Sequence, residues 1–559
     1  MPAGRGRELG ALLRLRTRGN AGGRQSHGAP GGHPARHGGV DGAICDGYHH
    51  PRCGSCPGGS VSRLLSALHL RAEQDPDSPV LSGSGQSLTA QALYCEVQRV
   101  AAALRNASVQ RLALHADNGP GWVIVDLAAQ LAGVVLIPVP TFFSAAQMRW
   151  LLEAAGVDAV CAAGDDFFTA AVCEAPRVTV FGDLSLAHRV PQSVAPLPAG
   201  TTKITFTSGS TGQPRGVCLS TEQCLAVAAS LLSRTGLNRV RHLALLPLAT
   251  LLENIAGVYL PLLSGGQVIV PGCAQTGLIG SSGLDAHRFL TALEVAQPQS
   301  LILVPELLRG LVEAAESGWQ APSSLRFVAV GGARVAPGLV ERARRQGLPV
   351  YEGYGLSECA SVVALNAPGR DRPGTSGQVL PHLAVQEEDG ELVVEGNAFL
   401  GYLGEPSSWY PQRVATGDLG RLDDEGYLVV EGRRKNLLIT AYGRNISPEW
   451  VESELLGSTV LQQAVVLGDG RPSCCALVYP RDSAVSNAMI QAAIDAANAR
   501  LPDYARIGPW LRLVRPVSAR SGLLTANGKP RRQAIAAHFQ EAVDALYHAL
   551  NHPEELQAK

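Results

Sequence analysis

From about residue 62 onward, stretches with apolar residues on one side of a helical turn alternate with short, nearly continuous apolar runs. Leu64, Leu65, Leu68 and Leu70 fall on or near one side of a helix over 62–72, and Thr89 is placed to cap a second helix running through Leu104. The pattern then predicts strands at 112–114 and 134–138 around a helix at 121–132, a helix at 145–155, and strands at 159–161 and 178–181. Ser220 with Gln223 three residues on opens a helix to Leu232. Buried strands are expected at 243–246, 267–270, 301–304 and 327–331. Strands alternating with helices predict an α/β fold with doubly wound, largely parallel sheets. Near residue 430 the character changes. A strand at 426–432 runs into the charged bridge Arg433-Arg434-Lys435-Asn436, and a smaller α+β unit follows. Its strands are expected at 464–467 and 474–478 and its helices at 448–456, 487–501 and 531–550, with the boundary between Lys435 and Asn436.

Residues 1–60 do not fit this pattern. They are mostly Gly, Arg, His, Ala and Pro, without apolar periodicity, and read as a disordered tail or a start called too early, since little surface is available to offset ordering entropy. The apolar stretch 9–15 is broken by Arg14, which argues against a secretory leader. An organelle leader, Arg-rich and acid-poor, is a weaker alternative. Cys53 and Cys56 have zinc-ligand spacing, but no second Cys/His pair at finger spacing follows. The rest of the chain divides into 61–435 and 436–559.

The 559 residues suffice for several domain-sized units, and 46% hydrophobic with 17% charged residues fits a large core. A net charge of −1 gives no case for nucleic acid. The twelve cysteines form no regular framework, and Cys218, Cys224, Cys273 and Cys359 have the apolar or small neighbours of ordinary buried residues. This favours a reducing compartment and a cytoplasmic location. The longest apolar run, 122–138, contains Asp126 and Gln130 and falls short of a membrane span, which leaves only peripheral membrane contact open.

The chemistry concentrates in a loop. Residues 204–207 lead into Ser208-Gly209-Ser210-Thr211-Gly212-Gln213-Pro214-Arg215-Gly216 before another β-prone run. Glycines allow backbone N–H groups to converge on an anion, Thr207, Ser208, Ser210 and Thr211 add hydroxyls, and Arg215 adds a planar fork for phosphate oxygens. A polyphosphate cradle fits, although the spacing is not that of a nucleotide P-loop. Downstream, Gly331-Gly332-Ala333 would let the backbone approach a flat ligand. Tyr354-Gly355-Leu356-Ser357-Glu358 offers an aromatic face and, in Glu358, a hard oxygen ligand for Mg²⁺. Thr416-Gly417-Asp418 places a carboxylate on a turn where it could accept from two ribose hydroxyls, and Gly528-Lys529-Pro530 presents a lone lysine.

In this order, over about 62–540, these motifs resemble those of the adenylate-forming enzymes: acyl-CoA synthetases, nonribosomal peptide adenylation domains and luciferases. The loop is similar to the family's Thr-Ser-Gly-Thr/Ser-Thr-Gly-x-Pro-Lys-Gly-Val, with Arg215 replacing lysine, and 354–358 resembles Tyr-Gly-x-Thr-Glu, with Ser357 replacing threonine. The resemblance implies that Asp418 and Arg433 hold ribose, that Asn436 is a hinge carrying a mobile small domain, and that Lys529 is the catalytic lysine. It leans toward fatty acyl-CoA synthetases. Leu246-Pro247-Leu248-Ala249-Thr250-Leu251-Leu252-Glu253-Asn254 resembles their Leu-Pro-Leu-Ala-His-x-x-Glu-Arg, with Thr250 in place of a frequent His or aromatic gate, and the segments after Gly432 and around Gly443 are similar to that branch too.

The resemblance implies a two-step ligase. A carboxylate, that of a medium- or long-chain fatty acid on this reading, attacks the α-phosphate of ATP and releases pyrophosphate, and the acyl group then passes to coenzyme A. Lys529 and Glu358-bound Mg²⁺ would offset the meeting of two anions, Arg215 and its loop would hold the departing phosphates, and Gly443 would then make room for the pantetheine arm. Three alternatives stay open: transfer to an acyl carrier protein, an aryl acid as substrate, and a catalytically dead nucleotide-binding relative.

Overall fold

In a computed structural model of the chain, residues 62–171, 176–207, 214–279, 283–525 and 528–551 are described. The readings made on residues 1–60 therefore lie outside the described residues, as do those on Ser208, Gly209, Ser210, Thr211 and Gly212.

Two large sheets form the body. One orders its strands Gly401–Tyr402, Arg215–Leu219, Lys203–Thr207, Val135–Pro138, Arg111–His115, Ala159–Ala163, Leu184–His188 and Val178–Phe181. The other runs Gln378–Val379, Ser361–Leu365, Val350–Leu356, Phe327–Val330, Ser300–Leu303, Arg241–Leu243, Gln267–Ile269, Pro79–Gly83 and Gln86–Thr89. Both are parallel at their centres and antiparallel toward the edges. The α/β, doubly wound reading holds, with short antiparallel edges the periodicity did not reveal.

The alternation of side chains along each strand builds the layers. Leu112 and Leu114 pack in one apolar cluster while Ala113, between them, belongs to another. The first cluster joins both sheets to the helices Ala90–Asn106, Pro120–Ala132 and Thr221–Thr235, so these helices lie between the sheets. A second cluster packs Ala286–Ala296, Pro305–Glu316 and Pro337–Arg345 on the outer face of the nine-stranded sheet. Thr89 and Ser220 cap their helices as expected, Ser220 in a reciprocal capping box with Gln223.

An antiparallel sheet of Ala384–Glu388, Glu391–Glu395, Arg413–Leu422 and Leu428–Arg433 follows. The last hundred residues build a three-stranded sheet, Leu461–Leu467, Cys474–Pro480 and Ile507–Arg512, with cores drawn from residue 438 onward. The helix expected over 531–550 is two, Arg532–His538 and Gln540–Asn551. Cys218, Cys224 and Cys359 are buried, whereas Cys273 is partly exposed. Among the described residues no helix is long and apolar enough to cross a membrane.

Candidate active site

Asp418 and Arg433 are cross-strand neighbours in the antiparallel sheet, so their pairing is set by register. Arg433 Nε lies 2.7 Å from Asp418 Oδ1, and its Nη1 donates to the Thr416 carbonyl at 2.9 Å. Asp418 does not stand on the expected turn but inside the strand Arg413–Leu422, where the pairing with Glu391–Glu395 shifts register, and Thr416 Oγ1 accepts from its N–H at 3.0 Å.

Tyr354 arrives from the nine-stranded sheet, and its hydroxyl donates to Asp418 Oδ2 at 2.5 Å. It stands beside a bulge between Val350–Leu356 and Ser361–Leu365 that requires glycine next to it. A Cβ on Gly355 would lie 1.7 Å from the Ser361 carbonyl oxygen. Burial raises the pKa of Asp418 against the opposing pull of Arg433, Tyr354 and Lys529. The Tyr354 phenol is pushed well above its ordinary value by burial and by Asp418.

Lys529 follows the turn at Gly528 in the last part of the chain. Its side chain keeps surface exposure yet sits in the field of Asp418, Arg433, Glu449 and Lys435. Loss of hydration, then repulsion by Arg433, lowers its pKa, while Asp418 and Glu449 oppose the shift. The sequence separates Lys529 from Asp418 by more than a hundred residues; the fold brings them together.

Glu358 and Arg215 are joined through Tyr402, which the sequence reading did not single out. Tyr402 Oη donates to Glu358 Oε1 at 2.9 Å, while the Arg215 guanidinium stacks 3.5 Å from the Tyr402 ring and pairs with Glu405 at 2.5 Å. The signal was the Gly401-Tyr402 pair, whose short strand zips onto Arg215–Leu219. Thr207 and Arg215 face each other at the base of the hairpin that carries the loop.

Gly332, Tyr354, Gly355 and Ser357 border a mostly apolar cavity of about 240 Å³. It extends along the nine-stranded sheet, with helix Thr221–Thr235 and the residues after Thr250 forming other parts of its wall. Thr250 turns its hydroxyl to the Pro247 carbonyl at 2.7 Å. Ala333 follows Gly332 in the same turn. Gly443 is not brought into this group; it lies in an exposed turn between the strands Leu438–Ile439 and Asn445–Ile446, with open space where a Cβ would be.

Among the described residues no cluster of three His, Cys, Asp or Glu could hold a metal ion. One carboxylate still suits Mg²⁺, which retains waters and takes further ligands from substrate phosphates. A carboxylate has about four lone-pair sites, and the Tyr402 bond occupies one of those on Glu358.

The AMP-binding enzyme family matches residues 68–403, and the AMP-binding enzyme C-terminal domain matches 435–551. The chain belongs to the AMP-binding enzyme family, the adenylate-forming class, and is an AMP-forming acid–thiol ligase. It is similar to the long-chain-fatty-acid–CoA ligase FadD15 of Mycobacterium bovis, 24% identical over 88% of this chain and 98% of that protein. Its fold matches the anthranilate CoA ligase AuaEII in complex with anthranoyl-AMP, with a TM-score of 0.73 at 18% identity over 85% of this chain and 96% of the other. It also matches O-succinylbenzoate coenzyme A synthetase of Bacillus subtilis in complex with ATP and magnesium ion, with a TM-score of 0.68 at 24% identity over 84% and 98%.

Proposed function

We propose that the chain activates a medium- or long-chain carboxylic acid with ATP, releases pyrophosphate, and passes the acyl group from the adenylate to coenzyme A. The observation that carries this reading is the meeting of Tyr354, Asp418, Arg433 and Lys529 at the border of an apolar cavity. Asp418 accepts from the vicinal hydroxyls of the ribose and Arg433 holds it in place. Asp418 is already satisfied by Tyr354 and Arg433, so its orientation is fixed before ligand enters.

Lys529 stands between the acid's carboxylate and the α-phosphate, where positive charge offsets the meeting of two anions. Glu358 is the residue that would hold Mg²⁺, which supplies charge neutralisation at the phosphates when bound. Arg215 and Thr207 flank the phosphate loop, and Tyr402 keeps Glu358 and Arg215 in fixed relation.

The small domain begins at Asn436 and turns there between the two half-reactions, taking Lys529 out and bringing Gly443 toward the thiol. In the present arrangement it rests on the large domain through Arg481–Glu313 and through Arg309 and Arg342, which donate to the carbonyls of Leu461 and Gly457 at 3.4 Å. These contacts are polar, which suits a reversible dock.

The test is pyrophosphate release by the full chain with ATP and Mg²⁺ over a panel of aliphatic and aryl acids, followed by transfer to coenzyme A or to an acyl carrier protein. Release with aliphatic acids and transfer to coenzyme A is expected. Release with aryl acids alone moves the substrate to that class. Exclusive transfer to a carrier protein replaces the acceptor, and no release with any acid refutes the reading.

A further inference from the structure

The apolar cavity has a polar floor. His242, Ser300 and Phe327 are register partners on three adjacent parallel strands, and all three line it. Gly331 and Gly332 lie just beyond the opposite, C-terminal ends of those strands, beside Tyr354. Phe327 and Gly331 are four residue steps apart along the chain, roughly 13 Å at about 3.3 Å per residue. The cavity therefore runs down the sheet from the nucleotide end to a level occupied by an imidazole and a hydroxyl.

Those two groups are held by a third. Glu253, wholly buried, accepts or shares a proton with His242 Nε2 at 2.8 Å, and its other oxygen accepts from the Leu246 N–H at 3.1 Å. His242 Nδ1 faces Ser300 Oγ at 2.9 Å. Glu253 starts a π-helix, Glu253–Tyr259, in which Gly257 leaves the pair its space: a Cβ there would lie 2.2 Å from Glu253 Oε1 and 2.7 Å from His242 Nε2. Both nitrogens of His242 are thus engaged, and Ser300 is the member with hydrogen-bonding capacity left over for the cavity.

With Glu253 ionised, His242 Nε2–H donates to it, Nδ1 accepts from the Ser300 hydroxyl, and the serine oxygen is left as an acceptor. With Glu253 protonated, each bond in the relay reverses and the serine O–H is left as a donor. A substrate hydroxyl satisfies either state, because it donates and accepts. A terminal methyl satisfies neither.

We propose that Ser300 is a specificity-determining residue, positioned by His242 and Glu253, that selects acids carrying a hydroxyl far from the carboxylate. The depth of roughly 13 Å corresponds to about ten bonds of a zigzag chain with bonds near 1.5 Å. This rests on the acid-activating reading above and names the substrate class for it.

The test compares pairs that differ only in the distal hydroxyl: 10-hydroxydecanoate against decanoate, and 4-hydroxycinnamate against cinnamate. Pyrophosphate release is measured with the full chain and with its Ser300→Ala and Ser300→Thr variants. The wild type is expected to favour the hydroxylated member of the decanoate pair by about tenfold in kcat/KM, the worth of one ordinary hydrogen bond. The hydroxyl of 4-hydroxycinnamate stands roughly 8 Å from its carboxylate, short of the floor, so that pair is the length control and should show a ratio near one; a ratio there and not in the decanoate pair overturns the assignment. The ratio is expected to fall toward one in Ser300→Ala and to persist in Ser300→Thr, which a purely structural serine would not produce. A wild-type ratio near one in the decanoate pair, or a ratio that Ser300→Ala leaves in place, overturns the inference.

Calorimetric titration with the matching acyl-sulfamoyl adenosines separates this from failure of the ligase reading. If no acid is turned over, about tenfold tighter binding of the hydroxylated compound that Ser300→Ala abolishes still upholds the pocket assignment. Equal binding, or none, overturns it.

Discussion

Replacing Glu352 by glutamine should stabilise the protein, and only above mildly acidic pH. Glu352 lies on the strand that carries Tyr354, two residues before it, and is 8% exposed. Its carboxyl accepts from the Gly374 N–H at 3.1 Å, with Arg344 and Arg334 nearby and Asp371 opposing them. These do not make up for lost hydration, and the pKa is pushed up to about 7 from an ordinary 4.5. A raised carboxyl pKa means that the folded chain holds its proton over a range where the unfolded chain has shed it. Stability falls as pH rises from about 4.5 to about 7, and the full penalty persists above that. At 1.36 kcal/mol per pH unit, the span from 4.5 to about 7 gives a penalty of about 3 kcal/mol. Glutamine keeps the acceptor for Gly374 and removes the charge. Thermal midpoints of wild type and Glu352→Gln, scanned at one rate at pH 4.5 and pH 8, should nearly coincide at the lower pH and separate by several degrees at the higher, with the variant more stable. Other buried carboxyls such as Glu452 and Asp418 are common to both proteins and cancel in the difference. The same gain at both pH values, or a loss at pH 8, would refute the argument.

Lys529→Ala should lower pyrophosphate release by a hundredfold or more while thioester formation from supplied acyl-adenylate stays within a few-fold; equal losses would remove Lys529 from its assigned role. Tyr402→Phe keeps the stacking surface for Arg215 but frees Glu358, so the Mg²⁺ concentration at half-maximal rate should rise several-fold without a comparable change in the KM for acid. Lys203→Met leaves Asp126 charged in the interior and should cost about 3–5 kcal/mol of stability, with the double change Lys203→Met and Asp126→Leu recovering part of it. Glu313→Ala removes the partner of Arg481 between the domains and should speed thioester formation relative to adenylation; an unchanged ratio in single-turnover assays would exclude that contact as a brake.

The backbone architecture was legible because parallel strands buried on both faces give continuous apolar runs and their connecting helices give a 3.6-residue period. Of the antiparallel sheet around Asp418 only the last strand was, expected over 426–432 and found at Leu428–Arg433. Its other strands carry many charged or polar residues, as in Gln386-Glu387-Glu388 and Arg413, so local pattern resembled loop. Site residues were legible in proportion to how local their roles are. Asp418 and Tyr354 stand in short motifs with glycine neighbours, whereas Tyr402 reaches Glu358 from 44 positions away and nothing near it announces a partner.

The buried polar groups show the limit most clearly. Asp126 appeared in the sequence only as the blemish that kept an apolar run from being a membrane span. In the fold it pairs with Lys203 at 3.0 Å and accepts from Asn254 and Tyr259 at 2.8 Å each, tying helix Pro120–Ala132, the strand entering the phosphate loop and the π-helix together. Glu253 and Asn254 are adjacent on that π-helix, one serving the floor of the cavity and the other this ion pair. The Lys203 strand continues to Thr207, the residue before the loop. A single irregular turn of helix therefore anchors both the floor of the apolar cavity and the strand Lys203–Thr207. Residues bound for such a turn carry no period of their own, since each is chosen by partners up to 133 positions away, so an aspartate in a hydrophobic run is better read as a request for a buried cation than as an interruption.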